Sequence, residues 1–254
     1  MPLFSLRFAA LPAALILATA AQAAPTTLHT GNVQVDYDKD TFDFWTQYSY
    51  GGHDSLALDS VLITGVGNGV QLDFQGQLQV MGSSYTYFSP ETLEGGFDAL
   101  FAFTAHSGYA ITGYTVSYTG SYNIETPGST SLNGPGVGFY GSDAGNTFNL
   151  SGVVGGSIAP QLQGTFSATG DISTIQVFDG YEEISHCDDP NDPYNCWIEQ
   201  VPIYHDEMDL GQASISIDRI TLTANVVAVP EPSTYALMAG GLGLLGWARR
   251  RRSV

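Results

Sequence analysis

The side chains best placed to do chemistry cluster late in the chain. Cys187 and Cys196, the only cysteines, enclose Asp188, Asp189, Pro190, Asn191, Asp192, Pro193, Tyr194 and Asn195. In an oxidising compartment two thiols this close in sequence form a disulfide closing one short loop, worth about 2–3 kcal/mol in the chain-entropy account. The rival is a zinc or redox site with His186 beside Cys187. It lacks the Cys-x-x-Cys spacing and a second ligand pair. Asp188, Asp189 and Asp192, with Asn191, offer the hard oxygens that calcium takes, in a loop that the disulfide would pre-order. Asp36-x-Asp38-x-Asp40 only begins like a calcium loop: Thr41 stands where glycine is needed, and Gln47 where the bidentate glutamate belongs. His205-Asp206-Glu207-x-Asp209 is a third acidic group. Solvated turns that keep an acidic chain soluble are the plainer reading of all three, so calcium stays a candidate at Asp188, Asp189 and Asp192 alone.

No residue is assigned a catalytic role. The chain has no Gly-x-Ser-x-Gly elbow, no His-Glu-x-x-His and no phosphate loop, and its histidines (His29, His53, His106, His186 and His205) are scattered. Carboxylates are so abundant that a glycosidase pair could only be picked by hand. Aromatic residues suggest a binding chemistry instead. Phe42, Phe44, Trp45, Tyr48 and Tyr50 crowd together, and Tyr85, Tyr87 and Phe88 form a second group. Exposed rings stack on sugar faces, but core packing is the commoner fate of Phe and Trp in strands. Tyr48 and Tyr50, flanked by polar residues, are expected at the surface.

Strands must position these groups, because helical periodicity is nearly absent between the chain ends while period-2 alternation is plain. Val33, Val35 and Tyr37 alternate with polar residues, as do Leu72, Phe74, Leu78 and Val80. Tyr114, Val116, Tyr118, Tyr122 and Ile124 oppose Thr115, Ser117, Thr119, Ser121 and Asn123. Ile215 and Ile217 change parity with Leu222, Ala224 and Val226, which predicts a β-bulge around Asp218-Arg219. Turn signals lie at Gly51-Gly52, Gly67-Asn68-Gly69, Gly95-Gly96, Gly134-Pro135-Gly136 and Gly155-Gly156, and residues 127–138 read as a long loop. Strands with one apolar and one polar face imply an all-β fold, an antiparallel β-sandwich of jelly-roll type. A β-barrel or β-solenoid is the alternative.

Both ends of the chain carry addresses rather than fold. Met1 to Ala23 has Arg7, an uncharged apolar stretch and the cleavage-type run Ala21-Gln22-Ala23, the pattern of a secretory signal peptide. Residues 24–228 then form one exported domain, a size that sandwiches reach undivided. Its 24 acidic residues face only Lys39 and Arg219, a net charge of −22 from those counts. A basic footprint for nucleic acid is missing, and a bare anionic membrane would repel the domain. Cations and neutral polymers remain compatible partners. The stretch from Asn225 to Val229 is expected to be a short tether.

Residues 229–254 hold three features in order: Pro230-Glu231-Pro232, an uncharged run from Thr234 to Ala248, and Arg249, Arg250, Arg251 and Arg252. The prolines stop an arriving strand. The uncharged run satisfies its backbone in lipid only as a helix, and the arginines hold its far end on the cytoplasmic side. A single C-terminal transmembrane helix is therefore expected. Its fifteen residues would span only ~22 Å of a hydrocarbon core of ~30 Å, shorter than a permanent anchor needs.

This tail resembles the PEP-CTERM sorting signal of Gram-negative bacteria that make exopolysaccharide. The resemblance implies recognition by an exosortase, a membrane-embedded cysteine transpeptidase-like enzyme. Processing would fall near Pro230-Glu231-Pro232, converting an inner-membrane-tethered precursor into a protein of the cell surface or extracellular matrix. The expectation is thus a non-enzymatic structural or binding role linked to exopolysaccharide or biofilm. The alternative is a secreted carbohydrate-active hydrolase with the same tail.

Overall fold

Alternation becomes strand wherever one row of side chains can be buried, and the computed structural model describes residues 25–49, 51–85, 88–187, 196–229 and 232–251. The signal-peptide expectation for residues 1–23 lies outside them. The first strands are β1 (Thr26–Thr30), β2 (Val33–Tyr37), β3 (Asp43–Tyr48), β4 (Gly52–Ser55) and β5 (Leu62–Val66). Next come β6 (Gly69–Ser83), β7 (Glu91–Ala99), β8 (Phe101–Ala105), β9 (Tyr109–Glu125) and β10 (Gly128–Gly134). The chain continues through β11 (Val137–Gly141), β12 (Asn146–Gly155), β13 (Leu162–Gly170), β14 (Ile172–Cys187), β15 (Cys196–Leu210) and β16 (Gln212–Ala228), and ends in helix α1 (Pro232–Arg251).

The all-β expectation holds, and the strand pairs among the described residues are antiparallel. A six-stranded sheet runs β11-β10-β13-β7-β3-β4, and a five-stranded sheet runs β12-β9-β16-β6-β5. The two face each other across one core. Phe44 of β3 meets Phe74 of β6 edge-on at 5.1 Å between ring centroids, and Phe97 of β7 meets Tyr118 of β9 at 5.8 Å. Leu72, Leu78, Val116, Ile215, Ile217, Ile220 and Leu222 fill the five-stranded side, and Leu132, Leu162 and Phe166 the other. A three-stranded sheet, β1-β2-β8, adds Val33, Val35 and Phe101 to the same core, with Phe103 edge-on to Tyr114.

The expected bulge is present. Around Asp218 the register of β16 shifts against both β9 and β6, and the loss of phase matches the parity change in the sequence. Opposite it, Gln75 and Gly76 take positive φ of 52° and 75°, with the Gln75 amide donating to Asp73 at 3.1 Å.

Four expectations are corrected. Gly95-Gly96 is not a turn but lies inside β7, where missing side chains admit the Phe166 ring on the inner face and the Trp45 indole on the outer. Residues 127–138 are not a long loop: β10 occupies most of them, with Thr130 and Leu132 turned inward. No tether runs from Asn225, since β16 stays paired with β9 through Ala228 and the Val229 amide still donates to the Gly108 carbonyl at 2.8 Å. The tail does form a helix, but no helix among the described residues is long and apolar enough to cross a membrane. Ser233, Thr234 and Tyr235 at one end, arginines at the other and glycines between dilute its apolar content.

Candidate functional site

Between β13 and β16 the chain leaves the sandwich altogether. β14 and β15 pair only with each other in a two-stranded ribbon, from Ile172↔Leu210 at the root to Cys187↔Cys196 near the tip. At ~3.3 Å per residue the ribbon is roughly 50 Å long. Its root is fixed by buried polar bonds. The Ser84 hydroxyl, fully buried, donates to the Gly211 carbonyl at 3.0 Å and accepts from the Gly211 amide at 2.9 Å. The Ser84 amide also donates to Gly211, and the Asp171 amide donates to Pro127, each at 3.0 Å. Gly211 lies against the Pro127 backbone with no room for a Cβ.

The ribbon departs from the inside-out rule of the sandwich. Ile175, Phe178, Tyr181, Ile184, Trp197, Ile198, Ile203, Tyr204 and Met208 are all exposed on it. From Ile172 to Leu210 there is no lysine or arginine, while Asp179, Glu182, Glu183, Glu199, Asp206, Glu207 and Asp209 are spread along its two strands. His205 and His186 pair across the strands with Asp179 and Glu199, each at 2.8 Å. Trp197 stacks on His186 at 4.4 Å.

A bulge sorts these groups. Phe178 and Tyr181 are three residues apart, which puts side chains on opposite faces of a regular strand. The register shifts between Phe178 and Gly180, and Gly180 takes φ of +126°, so the extra residue restores a common face. Phe178 accordingly meets Tyr181 at 5.1 Å and Tyr204 at 5.6 Å. Along this ring face the cross-strand pairs run Gln176/Asp206, Phe178/Tyr204, Tyr181/Pro202 and Glu183/Gln200. The Gln200 amide donates to Glu183 at 3.4 Å.

A second feature lies on the outer face of the six-stranded sheet. One side of the Trp45 indole covers Gly96, and the residue lines a shallow pocket of about 310 Å³ with Asp43, Gln47, His53 and Ser55. Its ring is edge-on to His53 at 6.4 Å.

The residues singled out in the sequence fall as follows. Cys187 and Cys196 are directly opposed in the ribbon register; their side chains, and Asp188, Asp189 and Asp192 between them, lie outside the described residues. No group of ligands suited to a metal occurs among the described residues. Asp36 is engaged rather than free: the Thr27 hydroxyl donates to it at 2.6 Å and the Gln34 amide at 2.9 Å, and these bonds hold its carboxyl below the ordinary range. Asp38 accepts from the Asp40 amide in a short turn. Of the aromatic groups, Phe42 and Phe44 are core, Tyr48, Tyr85 and Phe88 are exposed, and Tyr50 and Tyr87 lie outside the described residues. The ring face was not found from sequence, because its alignment depends on the bulge at Asp179.

In the tail, Pro230, Glu231 and Arg252 lie outside the described residues; Pro232 opens α1 and Arg249, Arg250 and Arg251 close it. Leu237, Leu242, Leu244, Leu245 and Trp247 are exposed on the helix. A family model, the PEP-CTERM protein-sorting motif, matches residues 228–252. No curated protein and no solved structure matches the chain. The match begins at the last residue of β16, so sandwich and signal adjoin without a linker. The chain thus carries a PEP-CTERM sorting signal, which implies export as a membrane-tethered precursor, processing by an exosortase and display at the cell surface.

Proposed function

We propose that the exported domain is a non-enzymatic binding protein of the cell surface or extracellular matrix, holding an exopolysaccharide or other envelope glycan. The Trp45 shelf carries this reading. An indole fixed flat by Gly96 presents a rigid π surface, and Asp43, Gln47, His53 and Ser55 around it supply donors and acceptors for hydroxyl groups. A shallow pocket grips part of a polymer without enclosing a cleavage point. The hydrolase alternative needs a second carboxylate working with Asp43; its cross-strand neighbour Asp98 is instead engaged by the Gln161 amide at 2.7 and 2.9 Å and does not line the pocket.

The test follows protein and polymer together in the producing cells. The surface form is expected to lack Trp247 and the arginines and to be retained on exopolysaccharide from the same strain. Trp45→Ala should lower that retention about tenfold, the loss of one good contact. Replacing Pro230 and Pro232 by alanine should leave full-length protein in the inner membrane. Retention unchanged by Trp45→Ala would defeat the binding site, and new reducing ends released from the polymer would establish the hydrolase.

A further inference from the structure

We propose that the ring face of the ribbon is a second glycan subsite, built for sugars that carry free amino groups. It extends the glycan reading to a separate surface. Three exposed rings form a platform in which Phe178 touches both Tyr181 and Tyr204, with Pro202 opposite Tyr181. The partly positive C–H faces of a pyranose complement such π surfaces, and an ammonium group does so more strongly. The platform is bracketed by planar polar groups at both ends: Gln176 and Asp206 toward the root, Glu183 and Gln200 toward the tip. Amides serve hydroxyls as donor and acceptor, while carboxylates only accept and bind ammonium donors best.

Charge selects among sugars. The ribbon has no lysine or arginine to receive a uronate, and its carboxylates would repel one. From Gln176 to Glu183 the face runs six register steps, roughly 20 Å, which suits an oligosaccharide rather than a single unit. The buried bonds at Ser84 and Gly211 fix the root, so the platform is held before a ligand arrives.

The experiment uses the full-length chain in detergent micelles, at a pH where sugar amines are protonated. Probes are a β-linked glucosamine oligomer, its N-acetylated counterpart, a polyuronate and polylysine of similar length. We expect the free-amine oligomer to bind about tenfold more tightly than the acetylated one, the value of one charge-assisted contact, and the polyuronate not to bind. Glu183→Gln with Asp206→Asn, near-isosteric changes on an exposed face, should erase that preference. Tyr181→Ala with Tyr204→Ala should weaken both oligomers, whereas Ile184→Ala on the opposite face should change neither. Equal binding of the two oligomers would overturn the amine assignment. Polylysine binding as well as glucosamine, with no effect of the ring variants, would reduce the ribbon to an acidic surface for basic polymers. Exopolysaccharide retention by the tyrosine double variant reports on the Trp45 shelf alone, so the two sites can fail independently.

Discussion

Sandwich and ribbon are built from the same antiparallel pairing, yet they place side chains by opposite logics. In β9 every second residue from Tyr114 to Tyr118 is buried and the intervening hydroxyls face water. In β14 and β15 rings, aliphatics and carboxylates share exposed faces with no layer above them. An isolated two-stranded hairpin is marginal in water, so this one depends on its root and on cross-strand contacts such as Phe178–Tyr204 and His186–Trp197. The lesson is that pairing makes a strand, while burial decides what that strand is for. A sequence that spends nine large apolar side chains on an uncovered ribbon is using them for something other than a core.

The sharpest way to test that contrast is to remove one ring from each region. Phe44, buried against Phe42 and Phe74, should cost about 3–5 kcal/mol as alanine. Phe178, half-exposed, should cost about 0.5–1.5 kcal/mol, the value of its ring contacts with Tyr181 and Tyr204. Denaturant unfolding of the two variants checks this, and comparable losses would make the ribbon part of the folding core. A smaller and more local effect is expected at the tip. Directly opposed residues in an antiparallel pair lie ~4.5–5.5 Å apart at Cα, within disulfide reach, and we propose that Cys187 and Cys196 are bonded. A non-reduced digest should show the linked peptide. Reduction should speed amide exchange around Trp197 by loosening a closure worth about 2–3 kcal/mol, leaving exchange in β9 and β16 unchanged. Two free thiols in the exported protein would remove the bond.

The smallest effect belongs to the core. The Tyr118 hydroxyl is buried without a hydrogen-bond partner among the described residues, and burial pushes its pKa up. Tyr118→Phe should therefore stabilise the fold by about 1 kcal/mol. The sign with pH follows from the raised value: stability is full below the unfolded tyrosine pKa of ~10 and falls as pH rises beyond it, because only the unfolded chain ionises readily. Urea midpoints at neutral and alkaline pH should show the slope in the parent and a shallower one in the variant. An equal slope in both would assign it to other groups.

Much of the sandwich was legible. Alternation over residues 71–80 and 114–124 gave β6 and β9, and the parity change at Asp218-Arg219 gave the bulge. What misled was glycine. Gly95 and Gly96 look like a turn, but they are absent side chains that make room for Phe166 and Trp45, a long-range requirement that local reading does not contain. Residues 127–138 looked like a loop because their Ser, Gly and Pro content hides the inward pair Thr130 and Leu132. Of the candidate site, the cysteine spacing pointed to one short closed loop, and the ribbon register is what sets Cys187 opposite Cys196. The ring face was not, since Phe178 and Tyr181 share a side only through one inserted residue.

One feature of the root has a mechanical meaning. A single residue, Gly211, separates the ribbon from β16, which ends where the sorting signal begins. The shortest backbone path from the ribbon to the tail end is therefore this one strand. β16 is central in its sheet, flanked by β9 and β6. Hydrogen bonds in antiparallel ladders run perpendicular to the strands. Tension between the two ends of β16 runs in its covalent backbone, while the ladders on either side keep the strand seated in the sheet. The strand whose alternation buries Ile215, Ile217, Ile220 and Leu222 is thus the covalent link from the root of the ribbon to the sorting signal.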